Sequence, residues 1–144
     1  MKKLVKHLSV LLADTYALYL KTQNYHWHVT GINFKAIHEL FETEYRELAE
    51  AVDAIAERIR ILGSRAPATF REYDSLKTLK DGDSGASAEQ MLEELAEDNQ
   101  TLIKVLNETL KIAEEAGDEG TVVLLGDRIA AHEKAHWMLA ASKK

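Results

Sequence analysis

Residues 34–62 read FKAIHELFETEYRELAEAVDAIAERIRIL, a segment without glycine or proline. Its apolar residues recur at i, i+3, i+4 and i+7, the spacing of an amphipathic helix. We therefore predict one long helix over residues 34–62 that turns a single apolar face toward a helical core. The residues of that face are Phe34, Ile37, Phe41, Leu48, Val52, Ile55, Ile59 and Leu62.

A second stripe on this helix carries potential metal ligands. With His38 set at 0°, Glu42 falls at about 40°, Asp53 at about 60° and Glu57 at about 100°. The stripe lies about a third of a turn from the apolar face, so we expect it to face solvent or a partner. Either i,i+4 pair alone would be typical of a solvated helix face, since 29% of the chain is charged.

The two pairs are too far apart to bind one metal ion within one chain. The separation of His38 from Asp53 is roughly 22 Å of helix, whereas ligands lie about 2.0–2.6 Å from a metal. An antiparallel copy of the helix across a two-fold axis would bring His38 and Glu42 to Asp53 and Glu57 of the partner subunit. This geometry predicts two identical sites per dimer, each shared between chains.

His26 is a fifth candidate ligand. A lone histidine near a helix end is more often a surface or core residue, but here Gly31 turns the chain back toward His38. Two imidazoles with carboxylates suit iron(II), and also zinc or manganese. Because carboxylates stabilise the ferric state, we expect iron oxidation rather than a passive structural metal. The neighbouring Trp27 is either a packing aromatic or an electron donor to the metal centre.

A competing metal motif occurs near the end of the chain. Glu133 and His136 form a Glu-x-x-His unit, and His132 and His136 are an i,i+4 imidazole pair. A di-iron site at the centre of a helix bundle requires two such units. The sequence contains no second one, so we expect the shared site instead.

Composition is typical of a nearly all-helical protein. The chain has 144 residues, one proline, no cysteine and a formal charge of −6. It is long enough for one domain, residues 1–144, and it offers neither disulfides nor thiolate ligands. The N-terminal apolar run, residues 10–13, is too short for a signal peptide, and no segment approaches the ~20 apolar residues of a membrane span. We therefore expect a cytoplasmic protein.

Turn residues divide the chain into four long helices. We predict helices over residues 3–28, 34–62, 87–117 and 119–142, with a short helix over 69–78 inside the long crossover. Gly31 is the expected C-cap of the first helix, and Asn33 the expected N-cap of the second. Ser87 and Gln90 form a capping box. Two short loops and one long crossover predict an all-α, ferritin-like four-helix bundle with that short extra helix.

The motif NYHWHVTGINFKAIHE at residues 24–39, followed by VDAIAER at 52–58, resembles the Dps family of mini-ferritins, the DNA-binding proteins from starved cells. The resemblance extends to KAHWML at 134–139. It implies a dodecamer around a hollow core, with ferroxidase centres at the two-fold interfaces. In that pattern His26, His38 and Glu42 come from one subunit, and Asp53 and Glu57 from its mate. Many relatives have aspartate at position 42, so Glu42 contacts the metal either directly or through water.

The resemblance also implies iron entry through acidic three-fold pores near the start of the last helix. The acids available there are Asp118, Glu119 and Asp127. Many relatives bind DNA through lysine-rich tails, but twelve copies of a −6 chain would repel phosphate. We therefore expect direct DNA binding to be less favoured. The terminal lysines are Lys2, Lys3, Lys6, Lys143 and Lys144.

These observations predict a ferroxidase and iron-storage cage. It would oxidise Fe(II) with hydrogen peroxide, or with dioxygen, and so protect against oxidative stress. One alternative is a DNA-compacting nucleoid protein whose metal site only steadies the dimer. Another is a helical oligomer with an acidic surface and no chemistry.

Overall fold

The computed structural model describes residues 1–143, and Lys144 lies outside the described residues. Within that range the chain forms five helices and no strand. Four of the helices are long, and the fifth is a single short helix in the crossover. The helices are α1 (Lys2–His28), α2 (Phe34–Ile61), α3 (Phe70–Leu76), α4 (Ala88–Glu115) and α5 (Glu119–Ala141).

The long helices pack as two hairpins. Short turns join α1 to α2 and α4 to α5, and these two helix pairs make the most extensive contacts in the fold. The hairpins meet through α1 against α4 and α2 against α5, while α3 packs on α1. This arrangement confirms the predicted all-α, ferritin-like bundle with its extra crossover helix. None of the helices within residues 1–143 is long and apolar enough to cross a membrane.

The helix ends follow local chemistry. The Ser87 hydroxyl accepts a hydrogen bond from the Gln90 backbone N–H, and the Gln90 side chain accepts one from the Ser87 N–H. This confirms the predicted capping box. Gly31 adopts φ +125°, a conformation that L side chains rarely reach. The C-cap of α1 is nevertheless Val29 rather than Gly31. Asn33 is the N-cap of α2, as predicted, although its side chain makes no cap hydrogen bond.

A buried carboxylate attaches the crossover to the bundle. Asp14 Oδ1 accepts hydrogen bonds from the backbone N–H groups of Thr78 (2.6 Å) and Leu79 (3.1 Å). Its Oδ2 accepts one from the Thr78 hydroxyl at 2.7 Å. Because these bonds satisfy a fully buried acid, they fix the segment after α3 against α1.

The apolar face predicted for α2 is largely correct, with one error. Ile37, Phe41, Ile55 and Ile59 are buried in the core. Phe34 is 42% exposed, so its assignment to the core was wrong. It lies in the first turn of α2, where its ring stacks on the imidazole of His38, with centroids 4.9 Å apart.

Candidate metal centre

Three of the five predicted ligands meet at the α1–α2 turn. One ligand atom each from His26, His38 and Glu42 lies within 4.8 Å of the other two. His26 comes from the last turn of α1, and the other two come from the first turns of α2. His26 is buried, whereas His38 and Glu42 are half-buried and face outward. The group is therefore a half-site that opens away from the bundle core.

The two imidazoles orient each other through the backbone. His26 Nδ1 donates to the carbonyl oxygen of His38 at 2.7 Å, and His38 Nδ1 donates to the carbonyl oxygen of His26 at 2.7 Å. Since a carbonyl can only accept, each neutral ring carries its proton on Nδ1. Each Nε2 then keeps a free lone pair, the form in which histidine binds a metal.

One of these bonds also satisfies a carbonyl group at the end of α1. The last four carbonyl groups of a helix have no partner within it. The His26 carbonyl is one of these in α1, and the His38 imidazole supplies its donor. The rings stack with centroids 3.8 Å apart and 14° between their planes. One pair of side chains thus satisfies the end of α1, closes the turn and presents two nitrogens that could bind a metal.

Glu42 completes the half-site but is held by a cation. Its Oε2 accepts a hydrogen bond from Arg46 Nε at 3.0 Å, an i,i+4 pair on the surface of α2. Its Oε1 lies 4.0 Å from His26 Nε2. A metal ion that binds Glu42 therefore competes with Arg46 for the same carboxylate.

Asp53 and Glu57 do not reach this half-site. Both are exposed on α2, in the half of the helix toward its C-terminus. The cluster of three ligands found among the described residues contains neither of them. Within one chain, Asp53 and Glu57 therefore lie apart from the other three candidate ligands.

A hydrogen-bonded network, rather than a free donor set, links α2, α4 and α5. Arg128 pairs with Glu47 through both terminal nitrogens and donates through Nη2 to His132 Nε2 at 2.9 Å. His132 Nδ1 donates to Asn99 Oδ1 at 2.8 Å. Both nitrogens of His132 are therefore engaged, and a guanidinium cation lies beside it. Burial and this cation lower the pKa of His132 to about 3.

Both ring nitrogens of His136 also have polar partners. Its Nδ1 donates to the Ala96 carbonyl at 3.0 Å, and its Nε2 lies 3.3 Å from the amide nitrogen of Gln100. The Glu-x-x-His motif therefore contributes no free imidazole lone pair. Sequence spacing alone could not show this, because both groups that engage the His136 ring lie on α4.

One carboxyl near this network has no partner. Glu44 Oε2 is buried and lacks a hydrogen bond among the described residues. It lines a cleft of about 280 Å³ that Glu47, Asn99 and His132 also border. Desolvation, with a smaller contribution from Glu47, raises the pKa of Glu44 to about 8. The group is therefore a neutral acid at pH 7.

Sequence reasoning missed two neighbours of the half-site. Arg46 could have been found, because a cation four residues after Glu42 faces it on a helix. Tyr45 packs its ring edge-on against His26, with centroids 5.2 Å apart, and no spacing signal pointed to it. Trp27, for which the sequence suggested either a packing aromatic or an electron donor, is 60% exposed. Among residues 1–143 its ring pairs with no other aromatic side chain.

Comparison with known proteins defines the class. A family model for the ferritin-like domain matches residues 5–142. The chain is 36% identical over 140 residues to DNA protection during starvation protein 2 of Bacillus anthracis, which covers 97% of this chain and 96% of that protein. The molecule is therefore a ferritin-like protein.

Solved structures narrow that class. Dps from Staphylococcus aureus matches with a TM-score of 0.96 at 33% identity, covering 100% of this chain and 97% of that chain. A DPS protein from Vibrio cholerae O1, described as a member of a broad superfamily of ferritin-like diiron-carboxylate proteins, matches with a TM-score of 0.95 at 34% identity. That match covers 99% of this chain and 90% of the other. The chain belongs to the Dps family.

Proposed function

We propose that this protein is a ferroxidase that binds Fe(II) as its substrate and stores the ferric product. The observation that carries the proposal is the reciprocal hydrogen bonding of His26 and His38, which leaves both Nε2 lone pairs free beside Glu42. Imidazole with carboxylate is a donor set suited to iron(II), and zinc or manganese can bind the same groups.

The half-site is completed by a second copy of the chain. One carboxylate and two imidazoles leave coordination positions open, and Asp53 and Glu57 are exposed carboxylates that form no ion pair among residues 1–143. If two copies of α2 pair antiparallel across a two-fold axis, His38 and Glu42 of each copy lie opposite Asp53 and Glu57 of the other. We infer shared centres at such an interface, within a dodecamer as the family resemblance implies.

Oxidation at this centre consumes iron and peroxide together. Two Fe(II), one hydrogen peroxide and two protons give two Fe(III) and two waters, so no hydroxyl radical leaves the site. Removing both reactants protects DNA without touching it. The relative from Bacillus anthracis is named for DNA protection during starvation, and this indirect route fits a chain of charge −6 better than phosphate binding does.

Stopped-flow absorbance of ferric product, after Fe(II) and hydrogen peroxide are mixed with the protein, tests the proposal. We expect His38→Ala and Asp53→Ala to abolish rapid oxidation while the oligomer still assembles. His28→Ala and Glu39→Ala are matched controls, because they remove an exposed imidazole and an exposed carboxylate near the same turn. Wild-type rates in the first two variants would refute the assignment.

Gel-shift titration at several salt concentrations tests the alternative. A DNA-compacting protein would retain a probe at low salt and lose it steeply as salt increases. We expect no retention at physiological salt. Retention that persists in Asp53→Ala would instead favour a nucleoid protein with a structural metal.

A further inference from the structure

A cation of the protein lies between two potential metal ligands inside the bundle. Arg128 donates through both terminal nitrogens to the carboxylate of Glu47. Its Nη2 also donates to His132 Nε2 at 2.9 Å. Glu47 belongs to α2, whereas Arg128 and His132 lie one turn apart on α5. The guanidinium therefore occupies the position where a carboxylate and an imidazole from two helices face each other.

His132 is held in the form that binds a metal ion. The Asn99 amide nitrogen donates to the Leu95 carbonyl oxygen at 2.8 Å, so the Asn99 oxygen is left to face the imidazole. That oxygen accepts a hydrogen bond from His132 Nδ1 at 2.8 Å. A histidine that binds a metal through one nitrogen usually donates its other N–H to such an oxygen. In His132 the remaining lone pair, on Nε2, is directed at Arg128 instead of a metal.

A third donor group lies nearby without a partner. Glu44 lines the cleft that Glu47 and His132 also border. Its Oε2 is buried and forms no hydrogen bond among residues 1–143, and the same is true of Arg128 Nε. Buried polar atoms are nearly always hydrogen-bonded, and a buried ion pair is by itself weak evidence of a gain in stability. A contribution to stability is therefore an insufficient reason for the presence of Arg128.

We propose that Arg128 excludes divalent metal ions from a latent site inside the bundle, and thereby confines metal binding to the half-site at the α1–α2 turn. The donors of the latent site are Glu47, His132 and Glu44, which offer one imidazole nitrogen and two carboxyl groups. This donor set suits iron(II), cobalt(II) and zinc. The proposal concerns where a metal ion binds, so it goes beyond the proposed ferroxidase function and does not depend on it.

Arg128 excludes a metal ion in two ways. Its guanidinium engages the Nε2 lone pair of His132 and both carboxylate oxygens of Glu47, which are the atoms that a metal would need. It is also permanently charged, and only 6% of Arg128 is exposed, so its repulsion of a second cation is poorly screened. Within residues 1–143, three potential ligands converge only at the half-site.

Removal of the guanidinium should free these donors without disturbing the half-site. The imidazole of His132 is buried and anchored by Asn99, so its lone pair stays in place. The side chain of Glu47 is 48% exposed, and without Arg128 it can turn toward that lone pair. The three ligands of the half-site lie on α1 and α2 and make no hydrogen bond to Arg128.

Titration of the assembled protein with Co2+, followed by visible absorbance and equilibrium dialysis, tests the proposal. We expect Arg128→Ala to bind one more Co2+ per chain than wild type. Arg128→Lys is the matched control, because it keeps a cation, and it should bind no additional ion. Combining Arg128→Ala with His132→Gln should remove the additional ion. Combining it with His38→Ala should remove only the ion of the half-site.

A second variant and a second measurement guard against loss of folding. Arg128→Leu keeps the apolar stem of the side chain and removes the charge. In a His38→Ala background, Zn2+ should raise the thermal unfolding midpoint of either Arg128 variant, because a bound ion stabilises the folded state. The increase should disappear when His132→Gln is added. A variant that folds only with Zn2+ present would also support the latent site, since metal binding then drives folding.

Three results would overturn the proposal. The first is that Arg128→Ala and Arg128→Leu assemble but bind no more Co2+ than wild type and gain no stability from Zn2+. The second is an additional ion that persists when His132→Gln is introduced, because that ion binds elsewhere. The third is an equal gain of Co2+ by Arg128→Lys, because a cation at this position would then not exclude metals. No iron is oxidised in these experiments, so a failure of the ferroxidase proposal would leave their outcome unchanged.

Discussion

Replacing Glu44 by glutamine should stabilise the protein at neutral and alkaline pH. The carboxyl of Glu44 lies in the bundle with an unbonded oxygen, and desolvation raises its pKa from 4.5 to about 8. The folded protein therefore keeps this proton between those two pH values, while the unfolded chain releases it. Stability from this group is complete below about pH 4.5 and is lost as pH rises toward 8.

The size of the effect follows from the shift. Each pKa unit corresponds to about 1.4 kcal/mol, so at pH 7 the ionisation of Glu44 in the unfolded chain costs at most roughly 3 kcal/mol of folding free energy. Glutamine has nearly the same shape and no proton to release. The free energy of unfolding of Glu44→Gln, relative to that of wild type, should therefore increase by up to that amount as pH rises from 5 to 8.

Guanidinium unfolding midpoints at one protein concentration, measured across that pH range, give the comparison. Fixing the concentration matters because assembly contributes to apparent stability. Glu50→Gln, an exposed carboxylate on the same helix, controls for the change of charge. If wild type and Glu44→Gln keep a constant difference from pH 5 to 8, the Glu44 carboxyl is not desolvated and the reasoning fails.

The remaining predictions concern His132 and Arg46. The pKa of His132 is lowered to about 3 in the folded protein. Below about pH 6.5 the imidazole therefore binds a proton in the unfolded chain but not in the folded protein. The free energy of unfolding should fall as pH drops from 6.5 toward 3. His132→Gln should be less stable at pH 7 but should lack this dependence on acid. If the stability of His132→Gln falls between pH 6.5 and 3 as steeply as that of wild type, His132 is not a buried neutral imidazole. Arg46→Ala should tighten metal binding about two- to fivefold in calorimetry, as expected for loss of an exposed competing ion pair. Lys35→Ala, which removes an exposed cation from the first turn of α2, should leave the metal affinity unchanged. Equal metal affinities in the two variants would mean that Arg46 does not compete with the metal for Glu42.

Much of this fold could be predicted because each boundary has a local cause. Ser87 and Gln90 identify the start of α4 by their own side chains, and the glycines at 31 and 63 mark turns that only positive φ allows. Helix periodicity located the core face of α2. It failed at Phe34, because a pattern specifies a face but not whether a neighbouring helix extends far enough to cover it.

Sequence reasoning anticipated that three of the candidate ligands lie close together, but not how their side chains are oriented. The turn at Gly31 implied that His26 and His38 meet, and the structure brings them together with Glu42. The atoms that orient the imidazoles are backbone carbonyls, which carry no sequence signal. Likewise, Arg128 and Glu47 pair across 81 residues, so the network that engages His132 could not be read from the Glu-x-x-His spacing.

Subunit mixing tests most directly whether each centre is shared. In a dimer of His38→Ala with Asp53→Ala, one centre carries both defects and the other has neither. Random pairing makes half of the dimers mixed, so we expect about one quarter of wild-type ferroxidase activity from two variants that are each inactive. A mixture of His38→Ala with His26→Ala should stay inactive, because both defects lie in the same half-site.

The measurement is the initial rate of Fe(II) oxidation by peroxide after the two variants are unfolded together and reassembled. Recovery in the first mixture and none in the second is the predicted result. Equal inactivity of both mixtures, with wild-type protein regaining its rate under the same treatment, would contradict a centre divided between two chains.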